Sequence, residues 1–283
     1  GFQIYRPDGS KVEMTFTYPT PTTIDVFHTN AEGSLVTPEK LSFGKGYSIV
    51  EVQAPYGYVL DETPVYFDVT EDNSTEESGV TVVKVDKPNM AQKGTVTVTK
   101  SGEVFSTVAG DKGLYQPIFS VGNLEGAVYE ITAAEDIYTQ DRQTDNYGNR
   151  TLWYAKGDVV AVVTTGDGSA DTAVFAPSRT KATYDFLSVI HDGTLGEVSV
   201  TLPLGSYHVE ETKPPYGYVG TTDSYDVTFV WDNQLNDVVM AKSIVKNGDS
   251  EQHFDVVRAS EASAELAEQQ TLGFYNDREH ARV

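Results

Sequence analysis

The feature that most constrains the fold is a repeated hinge. The chain reads VEVQAPYGYVLD from Val50 to Asp61 and VEETKPPYGYVG from Val209 to Gly220. Each copy places a Glu three residues before an Ala-Pro or Pro-Pro pair that leads into Tyr-Gly-Tyr. In each copy a Gly-rich, Tyr-bearing run precedes the hinge (GYSIVEV, GSYHVEE), and a strand-like run follows it (PVYFDV, SYDVTFV). A long-range repeat of this kind marks a repeated supersecondary unit. The chain therefore divides into two versions of one plan, expected over residues 1–92 and 93–283.

Both halves alternate apolar and polar residues over short runs, the period of a half-buried strand. In the first half these runs are FQIY, TIDVFH, YSIVEV, VYFDV and VTVVKV. In the second they are TVTVTK, GAVYEIT, DVVAVVTT, EVSVTLP, SYHVEE, YDVTFVW and TLGFYND. Pro-Asp-Gly, Glu-Gly and Gly-Lys-Gly turns separate several of them. The 24 Gly, 17 Tyr and abundant Thr and Val agree with β-structure. The expected fold class is all-β: two tandem Ig-like β-sandwiches. The second is enlarged by polar insertions at 138–157 and 245–270, the latter holding one helix-forming stretch, SEASAELAEQQ.

Composition excludes several function classes. There is no Cys, so thiol catalysis, disulfides and thiolate metal sites are excluded. The formal net charge of -22 repels nucleic acid and anionic lipid, and no apolar run is long enough to span a bilayer. Neither nucleic acid nor membrane insertion is therefore expected. The five His (His28, His191, His208, His253, His280) are scattered, and no Gly-x-Ser-x-Gly occurs, so no hydrolase signature is present. The acidic runs at 141–149 and 166–171 lack the full calcium-loop pattern, and neither a metal nor a cofactor is expected. Trp153, Tyr147 and Tyr154 in the first insertion form an aromatic ligand candidate, with core cover as the alternative.

The hinge Glu is the chemical puzzle. Glu51 and Glu211 sit among alternating apolar residues beside Tyr and Pro rings. A carboxylate there either hydrogen-bonds the following turn, lies at an edge, or is paired or protonated inside. Neighbours on a strand face opposite ways, so Glu210 is expected outside if Glu211 is inside.

With its preceding strand, the hinge resembles the E-box of Cna B-type (SpaA-like) domains, the prealbumin-like β-sandwich modules of Gram-positive pilins and surface adhesins. KGTVTVTK resembles their first, lysine-bearing strand, and LGFYNDRE their last, asparagine-bearing strand. The resemblance implies an intramolecular isopeptide bond in the second half. Lys100 is then the nucleophile, Asn276 the carboxamide acceptor and Glu211 the proton shuttle. Burial would favour a neutral amine at Lys100 and a protonated acid at Glu211, which would donate to the Asn276 carbonyl oxygen and polarise its carbon. The first half has Glu51, and Asp86 in DKP is the expected acceptor. No lysine strand precedes GFQIY, so no bond is expected within 1–92, and an upstream segment or another chain would have to supply the strand.

The function implied is a structural stalk or pilus-type segment of a bacterial surface protein, autocatalytic once and not an enzyme. A ligand-binding adhesin, or a carbohydrate- or calcium-binding module on the same scaffold, is the alternative. The expected partners are other domains of the same protein or pilus and a host protein or glycan. The expected location is the cell-wall-attached surface of a Gram-positive bacterium, with any anchor outside this segment.

Overall fold

The computed structural model describes residues 1–72, 75–77, 80–138, 152–167, 173–176, 188–191, 194–231 and 235–280. The chain divides into two compact units, Gly1–Ala91 and Gln92–Val283. The fold is mostly β, with one short helix, and each unit has its own sheets.

The first unit is built on an antiparallel sheet of β1 (Phe2–Tyr5), β4 (Gly44–Glu51) and β5 (Val65–Val69), with β4 in the middle. Two hairpins accompany it: β2 (Met14–Phe16) with β3 (Thr22–Ile24), and β6 (Thr75–Glu77) with β7 (Val80–Val82). Ile4, Val12, Met14, Phe27 and Tyr47 form its core.

The second unit is a sandwich of two larger sheets. The first runs β14 (Ala173–Phe175), β13 (Val159–Thr164), β10 (Val128–Ala133), β17 (Gly205–Lys213), β18 (Ser224–Phe229), β20 (Ser243–Lys246) and β21 (Ser250–His253). The second runs β15 (Ser188–His191), β16 (Glu197–Pro203), β8 (Lys93–Asp111) and β19 (Val238–Val239). On β8 also lie β22 (Leu272–Asn276), which pairs with it in parallel, and β9 (Leu114–Asn123). A small pair, β11 (Ile137–Tyr138) and β12 (Leu152–Tyr154), completes the strands. Helix α1 (Ala264–Gln270) begins where Ser263 accepts a hydrogen bond from Leu266 N, an N-cap that satisfies an otherwise orphan amide. Its last residue, Gln270, is buried and clips the helix to the backbone of Ala241 through both its amide atoms. No described helix is long and apolar enough to cross a membrane.

Strand β8 differs from the sequence expectation. The alternation Val96, Val98 stops at Lys100, and the strand was expected to stop there too. Instead it continues to Asp111 and turns back through Lys112 (φ 54°) and Gly113 (φ 83°) into β9. Two consecutive positive φ values are the geometry of a tight hairpin. The ribbon carries no buried face, so the usual signature of a strand is missing from its sequence.

Candidate functional site: an amine, an acid and an amide between two sheets

Strand parity builds the site. In β8 the even positions Val96, Val98, Lys100 and Gly102 face inward. In β17 the inward set is Tyr207, Val209 and Glu211, and in β22 it is Leu272, Phe274 and Asn276. Each strand thus offers two apolar anchors followed, two residues on, by one polar group. Because the period is two, the packing that buries the anchors also carries the polar group inside. Lys100 is 0% exposed, Asn276 1%, and the side chain of Glu211 1%. Glu210 points to solvent.

Lys100 Nζ lies 2.8 Å from Glu211 Oε1. Asn276 Nδ2 donates to Glu211 Oε2 at 3.0 Å and also to the carbonyl of Val219. The amide of Thr221 donates to Oε2 at 2.9 Å. Glu211 therefore bonds the segment after its hinge and also holds a charged partner, so two of the alternatives for this residue hold together. Asn276 Oδ1 is buried without a hydrogen-bond partner among the described residues. Glu211 thus touches the amide nitrogen of Asn276 and not the carbonyl oxygen to which it was expected to donate.

Rings seal the site. Phe274, in register with Lys100 on the neighbouring strand, has its centroid 6.0 Å from Nζ. Tyr129 and Tyr225 pack on Phe274 at 4.6 and 5.0 Å. Burial pushes the Lys100 ammonium below the usual lysine range, and Glu211 opposes that shift. Burial pushes the Tyr129 phenol up, with the Glu211 charge adding to it. Tyr129 faces Glu211 across the β10–β17 ladder, and its hydroxyl has no partner among the described residues. Sequence reasoning missed it; its inward place in GAVYEIT was the available signal.

In the first unit Glu51 is likewise buried, 1% exposed, and faces Phe2 in register as Glu211 faces Tyr129. The expected acceptor there, Asp86, is corrected. Asp86 is exposed, and Asn89 Nδ2 lies 2.9 Å from both carboxylate oxygens of Glu51. The reason is parity again: Val85, Lys87 and Asn89 share a face, and Asp86 falls on the other.

Of the two readings of the aromatic run, core cover holds for Trp153 and Tyr154. Trp153 and Tyr154 are buried, their rings 5.0 Å apart, and Tyr154 Oη donates to the Ala176 carbonyl. They are core, which leaves no exposed stacking face. Tyr147, the run 141–149 and residues 168–171 of the run 166–171 lie outside the described residues. Among the described residues no His, Cys, Asp and Glu side chains gather in a group of three or more able to hold a metal.

Residues 1–84 match the family described as SpaA, prealbumin-like fold domain. A search of curated proteins finds no match. Among solved structures, the chain is similar to the Bacillus anthracis TIE protein (17% identity, TM-score 0.36), covering 84% of this chain and 29% of that one. It is also similar to a C-terminal fragment of the pilus adhesin SpaC from Lactobacillus rhamnosus GG (15%, TM-score 0.36; 100% and 90% covered). A third is the basal pilin SpaE of the same organism (14%, TM-score 0.36; 95% and 79% covered). At such TM-scores these likenesses carry no argument about what the chain does. The family match lies on the first unit, over the hinge strand and Glu51; the lysine-bearing and asparagine-bearing strands on which the resemblance was also read lie in the second unit, outside the matched residues.

Proposed function

We propose that the chain is a structural segment of a Gram-positive surface fibre, a stalk or pilus-type module, whose second unit staples itself once through Lys100 and Asn276. The observation that carries this reading is the buried row of amine, acid and amide, with Glu211 within 3.0 Å of both nitrogens.

The chemistry follows from burial. A bare ion pair taken out of water loses most of its solvation, so a proton moving from Lys100 Nζ to Glu211 Oε1 leaves two neutral groups at low cost. The neutral amine attacks Cγ of Asn276. A C–N bond forms and the Cγ–Nδ2 bond breaks; Glu211 delivers the proton it took to Nδ2, which departs as ammonia, and takes in return the second proton that Nζ sheds on becoming an amide. The folded unit is both reagent and product, so positioning supplies much of the rate and nothing turns over. The new amide closes a loop of well over a hundred residues, about 5 kcal/mol by the chain-entropy account. It needs no oxidant and no reductant reverses it, in keeping with a chain without Cys. Its place is outside the cell, joined to other domains of the same fibre.

The test is the intact mass. The parent chain should weigh one ammonia less than its sequence. Lys100→Met and Glu211→Gln should each weigh what their sequence predicts and melt at lower temperature. A parent chain at its full sequence mass would end this reading.

A further inference from the structure

Attack on Cγ of Asn276 pushes the carbonyl electrons onto Oδ1, and an oxyanion shut away from water needs a donor. Oδ1 is buried without a hydrogen-bond partner among the described residues. Glu211 is already engaged elsewhere. Its Oε1 lies against Lys100 Nζ, and its Oε2 accepts from both Asn276 Nδ2 and Thr221 N. The phenol of Tyr225 is engaged too, donating to the Gly273 carbonyl at 2.8 Å.

Tyr129 is the group left over. Its Oη is buried without a partner among the described residues, although a phenol inside an apolar core normally finds one. Strand β10 sets Tyr129 in register with Glu211 on the neighbouring β17, at 0% exposure. Across the sandwich its ring packs on Phe274, centroids 4.6 Å apart. Phe274 stands two residues before Asn276 on the same face of β22. The phenol is thus anchored to both reacting strands, to β17 by its rung and to β22 by its ring. Burial, with the Glu211 charge adding to it, raises its pKa, so the hydroxyl keeps its proton at neutral pH and acts as a donor.

We propose that Tyr129 is a catalytic residue of the cross-linking step, the donor that holds the oxyanion formed on Oδ1 of Asn276. The two oxygens do not bond in the structure. They meet as Cγ turns tetrahedral, because Oδ1 then leaves the plane of the amide. A donor placed for the oxyanion and not for the planar carbonyl favours the transition state alone. The Nζ–Cγ bond forms, the carbonyl π pair moves to Oδ1, and Tyr129 Oη holds that charge by a hydrogen bond while keeping its own proton. The pair then returns to re-form C=O as Nδ2 leaves as ammonia with the proton from Glu211. In the product the new amide carbonyl retains Tyr129 as donor, so two groups left unpaired before the reaction are paired after it. This inference rests on the reading given for Lys100 and Asn276.

Tyr129→Phe keeps the ring and removes only the hydroxyl. Cross-linking of the full chain is followed by pulse-labelled synthesis, as the fraction that has lost one ammonia. Tyr129→Phe is expected to reach the parent's final deficit about 100-fold more slowly, the effect of removing one oxyanion donor. In the Lys100→Met background, where no bond forms, adding Tyr129→Phe is expected not to lower the melting temperature, because the hydroxyl it removes has no partner. Cross-linking at the parent's rate overturns the proposal. So does a slowing accompanied by a lower melting temperature in the Lys100→Met background, which makes Tyr129 a packing residue. Both results leave the Lys100 reading standing. A parent chain without the ammonia deficit overturns the two together.

Discussion

Gly102→Ala tests whether placement of Asn276 governs the cross-linking rate. Gly102 pairs with Asn276 across the parallel β8–β22 ladder. A Cβ added there would stand 2.7 Å from the Asn276 carbonyl oxygen, 2.7 Å from Leu124 Cδ1 and 3.0 Å from Tyr218 Cε1. The first of these is backbone and cannot swing aside. Ordinary contact begins near 3.4 Å, so β22 must retreat by roughly 0.7 Å. A displacement of about 1 Å costs on the order of 100-fold in a positioned reaction, so a slowing of at least about ten-fold is expected. The overpacking should also destabilise the unit by about 1–3 kcal/mol. That is about 2–4 °C in melting temperature for each kcal/mol in a domain of this size. The rate is read by pulse-labelled synthesis, following the fraction that has lost ammonia as time passes. The stability cost is read in the Lys100→Met background, where no bond forms. A Gly102→Ala chain that cross-links as fast as the parent, while paying the stability cost, would refute the placement argument.

Three further outcomes are expected. Gln270→Leu should cost about 1–3 kcal/mol in denaturant unfolding, because it leaves the N–H and C=O of buried Ala241 unpaired. In Asn276→Ala the Lys100 amine stays free. Its pKa in the fold lies below 10.5, so the unfolded chain binds a proton the folded one lacks, and stability should rise as pH rises toward that value; a flat or falling profile from about pH 7 to 10 would contradict the burial argument. The phenols of Tyr129 and Tyr207 are raised, and Tyr154 is pushed up to about 12, each first by burial. Their stabilising contribution is complete below pH 10.0 and lost as pH climbs through the folded values, so phenolate absorbance should show these three ionising only with unfolding.

Much of the site was legible because parity is a strict rule. TVTVTK and TLGFYND each announce which face is apolar, and Lys100 and Asn276 fall on that face by counting in twos. Glu51 was harder, because Tyr47, Ile49 and Glu51 share the inward face while Ser48 and Val50 between them are also half-buried, blurring the alternation. Asp86 was read as the acceptor from its adjacency to Lys-Pro, when the face was the better guide and leads to Asn89; Lys87, a polar residue at the place Phe274 fills, hid the pattern. The ribbon beyond Lys100 was illegible for the opposite reason. Its strands satisfy their backbone through each other and bury neither face, so Phe105, Val108 and Tyr115 stand exposed. Strand β12 was hidden in a polar run, since only Trp153 and Tyr154 reach the core.

The parallel alignment of β8 and β22 has a mechanical consequence. β8 opens the second unit and β22 nearly closes it, and both advance in the same direction. Tension applied along the polypeptide draws the beginning of β8 backward and the end of β22 forward. The two strands are then made to slide past each other along their length. Every rung of the ladder resists at once, and none can be opened ahead of the next as in a zipper. Even before any covalent link exists, this arrangement makes the unit suited to bearing a longitudinal load.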